Sequence, residues 1–121
     1  MSSPAYFEFK GSGDTDFFTF QLLDPLKIAK ARDIVSGKET RFVHPQGTII
    51  QKTASYNPKW SYHFDPDSIE FFEMAIEVCD ANMKYVEEHL DEVGGAFLPN
   101  SHWCPWNSTI LREIPEINIP Q

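Results

Sequence analysis

Across its 121 residues the chain has no apolar run near the roughly 20 residues a membrane-spanning helix needs, and its polar opening, MSSPAYFEFK, does not read as a signal peptide. A soluble protein is expected, secreted or cytoplasmic. Basic charge is scarce: ten Lys and Arg face eighteen Asp and Glu, a net charge of −8. That excess repels a phosphate backbone or an anionic lipid surface, so neither nucleic acid nor membrane is expected as a partner. Cysteine is scarce too. Cys79 and Cys104 allow one disulfide in an oxidising compartment or two free thiols in a reducing one. No internal repeat, linker or βαβ alternation occurs, which disfavours a dinucleotide-binding fold. Gly11-Ser12-Gly13-Asp14 leads into a strand pattern and has no closing lysine, so it reads as a turn rather than a phosphate cradle.

Aromatic residues are abundant, with ten Phe, four Tyr and three Trp in a chain that is 41% hydrophobic. Such side chains fit pleated, half-buried surfaces, so more sheet than helix is expected, within a single domain over residues 1–121. Charge is divided unevenly. Residues 65–92 are rich in acids with Lys84 as the one base, whereas residues 27–41 hold Lys27, Lys30, Arg32, Lys38 and Arg41.

Alternation of Phe7 with Phe9, and of Phe18, Phe20 and Leu22, predicts a first hairpin over Tyr6–Lys10 and Phe17–Leu22. Asp24-Pro25 is a helix start and Gly37 a stop, with Ile28, Ala31 and Val35 at helical spacing. Residues 41–52 read as a strand broken near Pro45-Gln46-Gly47, where a bulge or an edge position would accommodate the proline. Trp60, Tyr62 and Phe64 alternate with Ser61, His63 and Asp65, predicting a strand that an Asp65-Pro66-Asp67 turn closes into a hairpin with a second strand over 69–79. That second segment also fits a helix, but its alternation favours the strand. A second helix is expected over 81–93, with Met83, Val86, Leu90 and Val93 inward and Gly94-Gly95 ending it, and a last short strand over 109–114. The sum is an α+β fold: an antiparallel or mixed sheet of about five or six strands with two helices packed on one face.

Several groups of side chains invite chemistry. Ser61, His63 and Asp65 share a strand face, but neighbours two apart are about 6–7 Å apart at their bases, too far for a productive Ser–His contact. His63 with Asp65 supplies two metal ligands, fewer than a site needs. His44, before a proline, reads as a local hydrogen-bonding group. His102 beside Cys104 suggests a nucleophile, since imidazolium stabilises thiolate, yet the flanking Trp103 and Trp106 read better as anchors or as an aromatic recognition patch. The proline-stiffened loop 52–59 suits an inhibitor that presents a bond to a protease. No cofactor or metal is expected.

The runs YNPKWSYHFDPDSIEFFEMAIEVCDA, YVEEHLDEVGGAFLP and HWCPWNS, within residues 24–114, resemble a family of small proteins from bacteria and lower eukaryotes often labelled calmodulin-binding. The resemblance implies a binding role and no catalytic residues. The leading expectation is a non-catalytic protein-binding module that uses Tyr56, Asn57, Lys59, Trp60, His63, His102, Trp103 and Trp106. The alternatives are a protease inhibitor acting through loop 52–59 and a small hydrolase or metal-dependent enzyme using His63 and Asp65 or His102 and Cys104.

Overall fold

The structure, a computed structural model, describes residues 4–11, 14–41, 43–73, 79–105 and 108–115. In chain order its elements are β1 (Ala5–Gly11), β2 (Phe18–Leu22), α1 (Pro25–Ser36), β3 (His44–Ile50), β4 (His63–Phe64), β5 (Glu70–Phe72), α2 (Met83–Glu88), β6 (Val93–Gly94), β7 (Phe97–Pro99), β8 (His102–Trp103) and β9 (Ser108–Ile114). Short 3-10 turns lie at Pro66–Ser68 and Leu90–Glu92.

The first hairpin forms as its alternation predicts. β1 and β2 pair antiparallel with Phe7 opposite Phe20 and Phe9 opposite Phe18, so the phenylalanines stack on one buried face. The last strand expected over 109–114 is β9, which pairs with the other edge of β1. α1 begins at Asp24, whose carboxylate accepts the Leu26 amide at 2.9 Å, and ends at Gly37, whose φ of 86° is a left-handed turn that glycine enters without a Cβ clash. Its Ile28 and Ala31 complete the core over this sheet.

The architecture is α+β, but the single sheet of five or six strands is replaced by nine strands in three small sheets among the described residues: β2-β1-β9, then β3 with β4, β5 and β8, and a two-stranded β6-β7 pair. The reason lies in β3. The expected hairpin between 60–64 and 69–79 does not close, because β4 and β5 both pair with β3, at Ile49–Ile50 and at His44–Gln46. The Asp65 carboxylate accepts the Asp67 amide and holds Pro66–Ser68 as a 3-10 turn that keeps the chain's direction instead of reversing it. Across this insertion the Asp65 amide reaches the Thr48 carbonyl and the Thr48 amide reaches Ser68 Oγ, both at 2.8 Å, so the ladder is bridged. Within 69–79 a strand is present at Glu70–Phe72, and residues 74–78 lie outside the described residues.

The strand expected to break at Pro45 runs through it. Alternation along β3 directs Thr48 toward β4 and β5 and Ile49 toward Ser101, which places the Pro45 nitrogen on the β8 edge, beyond the two-residue ladder that β8 makes with Gly47 and Thr48. No ladder bond is lost there. Gly47 is required by close approach: a Cβ would sit 2.9 Å from the Phe64 ring and 3.0 Å from Ser68 Oγ.

The second helix is much shorter than expected. Asn82 caps α2 by accepting the Tyr85 amide at 2.7 Å, but at His89 the imidazole Nδ1–H donates to the Tyr85 carbonyl at 2.8 Å, while the His89 amide bonds instead to Val86. The carbonyl that would continue the α-ladder is thus taken by a side chain, and a 3-10 turn follows. Met83 and Val86 are buried, and Leu90 and Val93 pack partly buried against the core.

Between the two larger sheets lies an aromatic centre. Trp103 stacks on Phe64 at 5.1 Å between ring centroids and meets Phe18 edge-on at 5.1 Å, with Phe9 and Tyr62 around it.

Candidate functional site

The loop before β4 folds inward at every third residue. Ala54, Asn57 and Trp60 are buried, and two successive turns form as the Asn57 amide bonds Ala54 and the Trp60 amide bonds Asn57. Asn57 is the brace: its Oδ1 accepts the Thr19 amide at 2.9 Å and its Nδ2 donates to the Tyr62 carbonyl at 3.2 Å. Loop 52–59 is therefore not the extended loop that an inhibitor reading calls for; tight turns pinned to β2 stand in its place.

Trp60 is only 8% exposed, with its Nε1–H on the Phe17 carbonyl at 3.0 Å, and Trp103 is 0% exposed. The aromatic surface expected from these two residues is core instead, because each indole fills space between the sheets and finds a backbone acceptor there. Trp106 lies outside the described residues. Lys59 forms an ion pair with Asp16. Tyr56 rests on Tyr6 and meets His63 edge-on, and burial pushes its phenol up to about 12. His63 gives Nδ1–H to the Lys52 carbonyl at 2.6 Å, Asp65 caps its turn, and Ser61 is exposed. His63 and Asp65 thus hold separate backbone partners instead of each other.

The loops carrying Trp60 and His102 do not form one surface. Among the described residues, β4 and β8 flank β3 on opposite edges, and the aromatic centre lies between the two loops. His44 is buried and bonds through Nδ1 to the Ser108 carbonyl at 2.6 Å, joining β3 to β9 across sixty-four positions. Its hydrogen-bonding role holds, but it is a tertiary link.

At the other edge Cys79 and Cys104 form a disulfide, with Cα atoms 5.2 Å apart and a hydrogen bond from the Cys104 amide to the Cys79 carbonyl at 2.9 Å. His102 sits beside it, its Nε2–H donating to Gln46 Oε1 at 2.8 Å. With Cys104 in a disulfide, the thiolate nucleophile is not present in this state.

One concavity lies where no sequence motif marks it. A groove of about 590 Å³ runs between the β1–β2 turn and the start of α2, lined by Asp14, Asp16, Trp60, Lys84, Tyr85 and Glu88 among others. Tyr85 is 47% exposed and stacks on His89 at 3.9 Å, with Phe97 edge-on behind it. Asp14 is turned back by the Gly11 amide at 3.0 Å, and burial raises its carboxyl above the ordinary value more than that bond lowers it. Acid enrichment around α2 was visible in the sequence. The contribution of Asp14 and Asp16 was not, because a tertiary contact brings them there.

A family model described as the BP-74 N-terminal domain matches residues 3–117. The chain belongs to that family. The match covers nearly the whole chain, so β1 and β2, which supply Asp14 and Asp16 to the groove from the turn between them, are part of that domain. No curated protein and no solved structure matches the chain.

Proposed function

We propose that this domain is a non-catalytic protein-binding module whose recognition surface is the groove beside Tyr85. The observation that carries this reading is the groove's combination of an exposed, pre-stacked tyrosine with carboxylates from two separate elements and Lys84 as the one basic lining residue. An aromatic held in place by His89 and Phe97 loses little rotamer freedom on contact, which favours it as an anchor. The carboxylates of Asp14 and Glu88, together with the net charge of −8, favour a peptide carrying Lys or Arg next to an apolar side chain.

The test is a titration of the 15N-labelled domain with short peptides alternating lysine and leucine. Shift changes centred on Asp14, Thr15, Trp60 and residues 82–88, weakened about tenfold or more by Tyr85→Ala and by Glu88→Lys, are the expected result. Changes scattered over the surface, or equal binding by both variants, sink the reading.

A calmodulin-type partner, which the family resemblance implies, falls on a different element. α1 carries Lys27, Lys30 and Arg32, and Leu26 at its start is 81% exposed, which favours this second reading. Calmodulin targets present an apolar helix face, however, and α1 spends Ile28 and Ala31 on its own core. Calcium-dependent co-migration of the intact domain with calmodulin, lost on Leu26→Asp, is its test. The inhibitor and enzyme readings have less support, since loop 52–59 is folded into tight turns anchored by the buried Ala54 and Asn57, and His63 and Asp65 bond to separate backbone groups.

A further inference from the structure

Cys79, His102 and Cys104 each place one ligating atom within 4.8 Å of the other two. We infer that the reduced form of this corner is a Cys-Cys-His site for a single borderline-soft divalent cation of the Zn2+ class, and that the disulfide is its closed, metal-free state. This inference is independent of the groove reading, because the corner lies on the β8 edge of β3 and shares no residue with the groove lining.

The chemistry of the donor set selects the metal. Two thiolates and one imidazole suit Zn2+ and not the hard cations that take oxygen ligands. With metal–sulfur bonds near 2.3 Å and tetrahedral angles, two coordinated sulfurs stand about 3.8 Å apart, so once the disulfide opens the two sulfurs separate from bonding contact to that distance, with all three ligand atoms starting within 4.8 Å of one another. Both cysteines are almost fully buried, and a divalent cation with two thiolates and a neutral imidazole has no net charge, which removes the usual penalty for burying an ion. His102 is partly exposed and offers an entry path.

Two features keep the ligands together when the disulfide is open. The Cys104 amide bonds the Cys79 carbonyl, and the Trp103 indole bonds the Ala81 carbonyl at 2.8 Å, so the two segments are held by contacts that do not involve sulfur. Gln46 supplies the outer partner that metal-binding histidines commonly have, its Oε1 lying 2.8 Å from His102 Nε2, and the proposed site takes the other ring nitrogen as its ligand.

The conversion balances simply. A dithiol reductant gives two electrons and two protons, the Sγ–Sγ bond breaks to two thiols, and the reductant becomes a disulfide. The cation then displaces the two thiol protons into solvent and binds both thiolates and the imidazole.

The domain is reduced with dithiothreitol, freed of reductant anaerobically, and titrated with Co2+ and then Zn2+, with circular dichroism recorded throughout. One Co2+ per chain with thiolate charge-transfer absorption and tetrahedral visible bands, displaced by Zn2+ and absent from the oxidised domain, is the expected result. Gln46→Ala, which keeps all three ligands, is expected to weaken binding by about 10- to 100-fold, and His102→Ala by at least as much. Absence of the charge-transfer band, unchanged affinity in His102→Ala, or a reduced chain that stays unfolded with and without Zn2+ each overturns the inference.

Discussion

The indole Nε1 of Trp103 donates to the backbone carbonyl of Ala81 at 2.8 Å, joining residues twenty-two positions apart. Tyr62 does the same from the other side, its hydroxyl donating to the Met83 carbonyl at 2.8 Å. The segment that enters α2, and with it one wall of the groove, is thus held by two aromatic side chains of the core. Burial raises the Tyr62 phenol far above its ordinary value, so it stays a donor throughout the accessible pH range.

Trp103→Ala should destabilise the domain by about 3–5 kcal/mol, the range for removing a large buried aromatic. Trp103→Phe keeps most of the volume but leaves the Ala81 carbonyl without its partner, a loss of about 1–3 kcal/mol. Urea unfolding followed by circular dichroism reads both. A midpoint unchanged in Trp103→Ala would mean that the indole is not part of the core.

Asn57→Ala should leave the Thr19 amide and the Tyr62 carbonyl buried and unpaired, at about 1–3 kcal/mol for each group. Asn57→Asp separates the two bonds. A carboxylate still accepts from Thr19 but faces the Tyr62 carbonyl with no proton to give. Its stability should therefore recover as the pH is lowered and the carboxyl gains a donor, whereas that of Asn57→Ala should show no such recovery relative to wild type.

Arg32 holds Glu113 through two bonds of 2.9 Å each, tying α1 to β9, and this hydrogen bonding lowers the Glu113 carboxyl below its ordinary 4.5. An acid whose pKa is lower in the folded state stabilises the fold above its unfolded pKa and loses that contribution as pH falls through the folded one. The stability gap between wild type and Glu113→Gln should therefore be widest above pH 4.5 and close below it. Both partners face solvent, so screening holds the gap under ~1 kcal/mol and about 0.5 M salt should narrow it. Glu39, lowered to about 2 by its bonds from Arg41, extends the same trend to lower pH. Asp14 acts oppositely: its carboxyl is raised, so its contribution is present below 3.8 and lost as pH rises. Thermal unfolding across the acid range up to neutral pH measures the sum, and a gap that widened toward acid would contradict the Arg32–Glu113 pairing.

Local signals in the sequence carried the elements whose causes are local. The β1–β2 pairing follows from period-two phenylalanines, and α1 follows from Asp24-Pro25 at one end and Gly37 at the other, because caps and alternation act over a few residues. The burial of Trp60, Tyr62 and Phe64 beside the more exposed Ser61, His63 and Asp65 was legible from their alternation, although only His63–Phe64 of the strand expected there forms. By contrast, where β4 and β5 pair could not be read: the Asp-Pro-Asp turn fits a reversal as well as the 3-10 insertion that forms, and only β3, whose edge accepts both halves, selects between them. A tryptophan is equally suited to a binding patch and to a core, and the space between two sheets made Trp103 a core residue. The groove and the Cys79–His102–Cys104 corner are likewise products of tertiary structure, because their side chains come from segments that meet only once the sheets have packed.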